Sequence, residues 1–307
     1  MGKKNKIAFQ PRPKIDYPPV ATKTWVPPDQ RKKRKRRPKY EKPPGITQKL
    51  EVSSLGQVWH KFRVLKDRIL LLGSFSETHK RYKKRTNGFQ TPCNCVVAIA
   101  LSKFYRMSKW DFGTIDQILD LGDQLYISTI LHQSDRAKTH LLLCEVYPSF
   151  FFYDTKVTIT FKGNKHVGRL YEDVDDSPFL SRVIGDFFNE HGSGVLTVER
   201  HHMALWYIGK DYYLFDPSGH DREGHPWRGL PGMGFAAVMR FKDTDSLVNV
   251  IHETFGTRSN PGFVLTPCSI IRLVKIDVVP PAANLIPPHC PIGEPEFVLE
   301  PRVPPAK

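Results

Sequence analysis

Residues Gly73 to Leu101 read GSFSETHKRYKKRTNGFQTPCNCVVAIAL, and the interpretation of the whole chain depends on this stretch. It predicts a polar, basic loop that leads into an apolar helix running from about Cys95 to Leu101. A helix N-terminus stabilises a thiolate through its dipole and its unpaired N–H groups, and cysteine-dependent hydrolases place their nucleophile there. The thiols of Cys93 and Cys95 at this helix start therefore make a cysteine hydrolase the first functional class to consider.

The positive charge of the chain is concentrated at one end. The 307 residues include 46 Lys and Arg and 31 Asp and Glu, and residues 1–49 hold 16 of these bases but only 3 of the acids. This segment is also rich in proline and poor in aliphatic residues, so burial cannot repay its ordering entropy. We predict a disordered basic arm over residues 1–49, a globular domain over 50–278 and a Pro-rich tail over 279–307.

One run within the arm carries eight bases in nine residues. Such a run is typical of a nuclear-import signal and of an arm that binds nucleic-acid phosphates, and one segment can do both. We therefore expect a nuclear protein, otherwise a cytoplasmic one, with an import receptor or nucleic acid as partners of the arm. The bases are Arg31, Lys32, Lys33, Arg34, Lys35, Arg36, Arg37 and Lys39.

Apolar runs and cysteines exclude several other classes. The chain has no run of about 18 apolar residues and no signal segment, so we expect neither a membrane span nor secretion. An odd, scattered set of five cysteines fits free thiols in a reducing compartment. A zinc site built from Cys93, Cys95, His201 and His202 would lack the usual Cys-x-x-Cys spacing. We predict no metal and no cofactor, and we expect His201 and His202 to be an exposed pair at a strand end.

Helical patterns come first along the globular part, and strand patterns follow. Residues 114–122 predict an amphipathic helix with Thr114 as its N-cap and Gly122 at its end, and a second helix follows toward Leu131. Residues 194–198, 203–208 and 212–216 predict an antiparallel meander with a hairpin turn at Gly209, and 235–241 a further strand. Residues 243–255 again predict a helix. This order indicates an α+β fold of the papain-like kind, with a helical first part and an antiparallel sheet.

Several short motifs, in this order and spacing, match a known family. They are Gly73-Ser74-Phe75, Gly88-Phe89-Gln90, Asn94, the segment from Ile118 to Tyr126, Ala204-Leu205-Trp206, Tyr213-Leu214-Phe215-Asp216, and Gly234 before Ala236-Ala237-Val238. With them the chain resembles, from about Leu72 to Phe255, the ubiquitin-specific protease domain of the herpesvirus large tegument protein and its relatives in insect and mobile-element proteins. The resemblance implies a papain-like cysteine protease fold and a ubiquitin or ubiquitin-like partner.

The resemblance also assigns catalytic positions, and most of them carry the wrong residue. The oxyanion glutamine of the family falls on Glu77, the nucleophilic cysteine on Thr91 directly after Gln90, and the histidine on Ser218; only Asp216 is retained. A carboxylate repels an oxyanion, and a threonine hydroxyl without a base is a poor nucleophile. We therefore predict a catalytically inactive relative of a viral deubiquitinase that serves as a nuclear binding or scaffolding module.

Two alternatives remain open at this point. Cys93 and His220 each lie two residues past the family position, so shifts in both loops would rebuild an active deubiquitinase from Cys93, His220 and Asp216 with Gln90 beside them. In the other alternative the protein associates with nucleic acid or chromatin through its basic arm, and the domain is a folded body that carries the arm.

Overall fold

The computed structural model describes residues 61–83, 86–133, 140–161, 163, 165–172, 178–256 and 260–275. The predicted basic arm with its run of eight bases, and the predicted Pro-rich tail, lie outside these residues. None of the helices within the described ranges is long and apolar enough to cross a membrane.

The centre of the described structure is an eight-stranded, wholly antiparallel sheet. Its strand order is β1-β2-β9-β8-β7-β6-β10-β5, so the meander predicted from the sequence forms its middle. The strands are β1 (Arg63–Val64), β2 (Ile69–Leu72), β5 (His166–Arg169), β6 (Ser193–Val198), β7 (His201–Ile208), β8 (Asp211–His220), β9 (Phe235–Phe241) and β10 (Gly262–Pro267). The turn between β7 and β8 contains Gly209, whose φ of 66° is a conformation that glycine adopts without strain.

Within the described residues a smaller sheet and four α-helices accompany the large sheet. The three-stranded antiparallel sheet has the order β11-β4-β3 and contains β3 (Ser149–Phe152), β4 (Thr155–Thr160) and β11 (Ser269–Lys275). The helices are α1 (Thr91–Phe104), α2 (Phe112–His132), α3 (Leu180–Glu190) and α4 (Thr244–Phe255). Helices combined with antiparallel sheets are the α+β class that the sequence predicts.

Each face of the large sheet packs against its own apolar layer. Side chains alternate between the two faces of a strand, and on β7 the side chains of Ala204 and Trp206 join the cluster that contains α1 and α2. Met203 and Leu205 on the same strand join the cluster that contains α3 and α4. The sheet is therefore covered by helices on both faces, and α1 lies in the interior of the domain.

The contact between α1 and α2 depends on one glycine. A Cβ atom at Gly122 would lie 1.9 Å from Oδ1 of Asn94, so only glycine allows this approach. The predicted helix end at Gly122 is therefore wrong, because α2 continues to His132. The predicted N-cap is wrong as well: Asp111 caps α2 by accepting a hydrogen bond from the backbone N–H of Thr114, which occupies the third helical position.

Candidate functional site

The loop after β2 lies against the second half of β8 and the start of β9. The backbone N–H of Ala236 donates to the carbonyl of Phe75 at 2.9 Å, and the N–H of Glu77 donates to the carbonyl of Pro217 at 3.0 Å. These bonds fix the backbone of Glu77 next to the part of β8 that carries Asp216. The N-terminus of α1 closes the site from the other side.

The side chain of Glu77 is buried against the first turn of α1. Its Oε1 accepts a hydrogen bond of 2.8 Å from the hydroxyl of Thr91, and its Oε2 accepts one of 3.0 Å from the side-chain amide of Asn94. Residues three apart on a helix share a face, so one carboxylate spans Thr91 and Asn94. The structure thus brings together Glu77 and Thr91, the two residues to which the sequence resemblance assigns the oxyanion donor and the nucleophile.

Burial controls the protonation of Glu77. Loss of hydration raises the pKa of its carboxyl group to about 7, and the hydrogen bonds from Thr91 and Asn94 and the charge of His201 oppose this rise. The negative charge of Asp216 acts in the same direction as burial. Glu77 is therefore charged only in part at neutral pH.

Asp216 is completely buried, and two imidazoles flank it. Nε2 of His201 lies 3.2 Å and Nε2 of His220 lies 3.1 Å from the same carboxylate oxygen, Oδ2. The other oxygen accepts a hydrogen bond of 2.9 Å from the backbone N–H of Ser218. Burial alone would raise the pKa of Asp216, but the two imidazoles outweigh it and hold this pKa well below its usual range. Asp216 is therefore an anion at neutral pH.

Gln90 does not point a donor at an open site. Its side-chain amide donates to the backbone carbonyl of Glu77 at 3.2 Å, and its side-chain oxygen accepts from the backbone N–H of Phe89 at 3.0 Å. Both ends of the buried side chain are thus used to hold the loop against the start of α1.

Cys93 faces away from these residues. Helix α1 begins at Thr91 with Pro92 in its first turn, four residues before the predicted start. Residues two positions apart in an α-helix are separated by about 200° around the helix axis. Cys93 therefore lies on the face of α1 opposite Thr91. Its buried thiol is next to Thr129 and Asp123 of α2, and burial raises its pKa far above the usual range.

Cys95 lies on the same face as Thr91 but is no better as a nucleophile. Its thiol is completely buried. Burial, together with the negative charges of Glu77 and Asp216, raises the pKa of Cys95 well above its usual value. Since a thiolate is the reactive form of cysteine, neither thiol at the start of α1 is activated.

Of the alternative catalytic set, the structure brings His220 to Asp216 but leaves Cys93 on the far face of α1. His220 is buried, and while its Nε2 faces Asp216 its Nδ1 lies 3.1 Å from the carbonyl of Gly224. The Nε2 atom lies close to Asp216 without the geometry of a hydrogen bond, so the ring is directed toward Asp216 while Cys93 stays on the far face of α1.

The expected exposed pair at a strand end is wrong for His202, which is buried, whereas His201 is partly exposed at the start of β7. The side chain of His201 is about one quarter exposed, and the carboxylate of Asp216 outweighs burial and raises the pKa of its imidazole. The Nδ1 of His201 has no hydrogen-bond partner among the described residues. His202 is buried with its Nδ1 2.9 Å from the hydroxyl of Thr197, and burial lowers its pKa to about 4.

A cavity of about 440 Å³ opens beside the start of α1. Thr91 and Pro92 form one end of it, and His202 and Thr197 lie in its wall. Apolar side chains that include Phe89, Leu142 and Phe161 form other parts of the wall, together with the basic side chains of Lys165 and Arg200. The buried Thr91 thus borders an open groove.

Comparisons with known proteins identify the family and the fold of the chain. Residues 73–269 match the family model described as the herpesvirus tegument protein, N-terminal conserved region. The chain is also similar to a crystal structure of the ubiquitin-specific protease encoded by murine cytomegalovirus tegument protein M48, in complex with a ubiquitin-based suicide substrate. The TM-score is 0.54 at 13% sequence identity, over 68% of this chain and 88% of the viral chain. No curated protein matches significantly. The match confirms the predicted papain-like α+β fold.

Proposed function

Because the chain belongs to the family of the herpesvirus tegument protein N-terminal conserved region, we propose that it is a catalytically inactive relative of the viral deubiquitinases. In this proposal it acts as a binding module for ubiquitin or a ubiquitin-like protein. The observation that carries the proposal is the hydrogen bond from the Thr91 hydroxyl to the buried carboxylate of Glu77.

This hydrogen bond is incompatible with both requirements of acyl transfer, which are an activated nucleophile and a donor for the oxyanion. A nucleophile needs a base that removes its proton, and the developing oxyanion needs donors directed at it. Here the hydroxyl of Thr91 points to an acceptor that also binds Asn94, and the carboxylate of Glu77 stands where the family places an uncharged donor. A negatively charged Glu77 would repel an oxyanion, whereas an uncharged amide at this position would donate a hydrogen bond to it.

The rest of the site supports a retained binding role. The loop after β2 stays bonded to β8 and β9, and the cavity beside Thr91 remains open. Lys165 and Arg200 in its wall are suited to the carboxylate at the end of a partner chain. The M48 protease was crystallised with a ubiquitin-based substrate, and this likeness makes ubiquitin the first partner to test.

The test of binding is a titration of the full chain against labelled ubiquitin. We expect saturable binding that weakens at least tenfold in Leu142→Asp, because Leu142 is an exposed apolar residue of the cavity wall. Leu131→Asp is the matched control, since Leu131 is equally exposed on α2 and outside the cavity lining, and it should bind as the parent does. Absence of saturation up to about 1 mM, a free energy of about −4 kcal/mol, would remove the binding proposal.

The test of inactivity is reaction with ubiquitin that carries a C-terminal electrophile. We expect no covalent adduct after hours with an excess of probe, whereas a competent viral relative reacts. An adduct that disappears in Cys93→Ala or in Cys95→Ala would show an active cysteine hydrolase and overturn the proposal. An adduct that survives both substitutions would implicate another side chain and would contradict it equally.

Nuclear placement is proposed on the basic run at Arg31 to Lys39, which contains eight bases in nine residues. A fluorescent fusion of the full chain should accumulate in nuclei, and deletion of residues 1–49 should abolish this. Contact with nucleic acid predicts binding whose logarithm falls steeply with the logarithm of salt, with a slope of about −0.9 for each phosphate contacted. Unchanged DNA binding after deletion of the arm would exclude the arm as the nucleic-acid site.

A further inference from the structure

Three side chains with metal-binding groups meet at the edge of the large sheet, away from the site at Thr91. His166 is the first residue of β5, which is the edge strand, and Glu190 and His191 lie at the end of α3. Each offers one ligand atom, and these atoms all lie within 4.8 Å of one another. Within that group, Nε2 of His191 is 3.7 Å from a carboxylate oxygen of Glu190.

Regular backbone structure holds all three positions. His166 pairs with the buried Leu265 in the ladder between β5 and β10. The backbone N–H of His191 donates to the carbonyl of Phe187 at 2.8 Å, which is the closing bond of α3. His191 itself has extended backbone angles, so the chain leaves the helix there, and the adjacent side chains of Glu190 and His191 can reach one point.

An aromatic side chain orients both imidazoles. The completely buried Phe187 makes an edge contact with His166 at a centroid distance of 5.5 Å and a tilted contact with His191 at 5.2 Å. Phe187 cannot move easily, because it is packed within the cluster formed by α3 and α4. A fixed apolar wall of this kind limits the rotamers of metal ligands and lowers solvent access to them.

His166 shows an unmet requirement for a partner. Its Nε2 is a buried atom with no hydrogen-bond partner among the described residues. Most buried polar atoms are satisfied, and an unsatisfied one has a free-energy cost. A metal ion bound to this nitrogen would satisfy it.

The ligand set favours zinc. Two imidazole nitrogens and one carboxylate oxygen form the His₂Glu set of zinc sites, whereas calcium and magnesium take oxygen ligands. Zinc–nitrogen bonds of about 2.0–2.1 Å in tetrahedral geometry require ligand atoms about 3.4 Å apart, so the three side chains must close by roughly 1 Å. The Glu190 side chain is more than half exposed and free to make this adjustment.

We propose that His166, Glu190 and His191 form a zinc site that joins the edge strand β5 to the end of α3. Three protein ligands leave the fourth tetrahedral position to water or to a partner's side chain. The site is independent of the proposed ubiquitin binding, because none of its residues lines the cavity beside Thr91.

The test uses the untagged full chain, freed of metal by a chelator and then titrated with zinc alone by calorimetry. We expect one strong equivalent with a micromolar or tighter dissociation constant, and a thermal unfolding temperature that rises with zinc. His166→Ala and His191→Ala should each weaken this equivalent at least 100-fold. Glu190→Gln should weaken it about tenfold, and its exposed position makes it the variant least able to disturb folding.

The matched control is His225→Ala, because His225 also lies beside a glutamate, 3.4 Å from Glu253, but has no second histidine in that pair. It should bind zinc as the parent does. Cobalt in place of zinc reports the ligand type, and an absorption band typical of thiolate ligands would assign the metal to cysteines and overturn the proposal. Equal affinity in the parent, His166→Ala and Glu190→Gln, or no equivalent tighter than about 0.1 mM, would overturn it as well.

Discussion

Thr91 and Glu77 share a hydrogen bond of 2.8 Å in which the hydroxyl of the first helical residue of α1 donates to a buried carboxylate. The sequence resemblance assigns the position of Thr91 to a nucleophile and that of Glu77 to an oxyanion donor. At these positions Thr91 and Glu77 therefore satisfy each other as hydrogen-bond donor and acceptor, and neither group is available to a reacting substrate. This exchange has consequences for reactivity and for stability that are open to measurement.

Thr91→Cys alone should stay unreactive, and the double substitution Thr91→Cys with Glu77→Gln should react faster. A carboxylate next to a thiol disfavours the thiolate, and its removal should lower the pKa of the new thiol by about 1–2 units. The measurement is the pH dependence of alkylation of the peptide that contains residue 91, read by mass spectrometry. Cys93 is the internal control, because it faces α2 and should remain unmodified in both variants. Equal alkylation rates in the two variants would contradict the assigned role of Glu77.

Glu77→Gln should stabilise the fold progressively as the pH rises. The pKa of Glu77 is raised from 4.5 to about 7, so its protonated form favours folding below about pH 4.5, and this contribution is lost as the pH rises through 7. The Glu77→Gln variant has no ionisable group at this position, so its stability does not fall in this way as the pH rises. Its unfolding free energy relative to the parent should thus improve by about 3 kcal/mol between pH 4.5 and 8, as measured by urea unfolding.

The comparison with the parent is essential, because other groups titrate in the same range. His202 has a lowered pKa of about 4, so it destabilises the fold as the pH falls from 6.5 and opposes the effect of Glu77. The difference between the two proteins cancels this contribution. Glu223→Gln, at an exposed glutamate, is the control and should show no pH-dependent difference.

Much of the fold is predictable from the sequence because its central strands are buried on both faces and are therefore short apolar runs bounded by turn residues. The meander of β6 to β8 and the strand β9 follow the predicted segments closely, since each must present one face to α1 and the other to α3 and α4. The bounds of α1 and α2 are harder to predict from the sequence. Pro92 is tolerated in the first turn of a helix, so α1 begins earlier than its apolar run. Gly122 lies within α2, where its close packing against Asn94 of α1 leaves no room for a Cβ atom, and it does not mark the end of the helix.

Site residues could be predicted from the sequence only where a short local motif contains them. Glu77, Thr91 and Asp216 followed from the resemblance, but the contact of His201 with Asp216 joins residues on different strands. A signal for it existed, since the hairpin turn at Gly209 places the start of β7 beside the end of β8. The orientation of Cys93 could not be predicted without the correct first residue of α1.

Gly122→Ala should destabilise the protein even though alanine is the better helix former. The new Cβ would lie 1.9 Å from Oδ1 of Asn94, and overpacking of this kind costs about 1–3 kcal/mol. Gly185→Ala is the matched control, because a Cβ at this position of α3 meets nothing within 4 Å and helix propensity favours alanine by up to about 1 kcal/mol. Urea unfolding should move the two midpoints in opposite directions. Equal shifts would show that the contact between α1 and α2 is looser than the structure has it.

Asp216→Asn should destabilise the fold at neutral pH by about 3–5 kcal/mol, the usual result of removing one partner from a buried charged group. The carboxylate lies between the imidazoles of His201 and His220, and the amide would lack the negative charge that both rings face. The pKa of Asp216 is held below its usual value, so its contribution is present above about pH 4 and is lost as the pH falls through the lowered pKa. The gap in unfolding free energy between parent and variant should therefore be full at pH 6 and shrink toward pH 2. A gap that does not change over this range would mean that the two imidazoles do not stabilise the charge of Asp216.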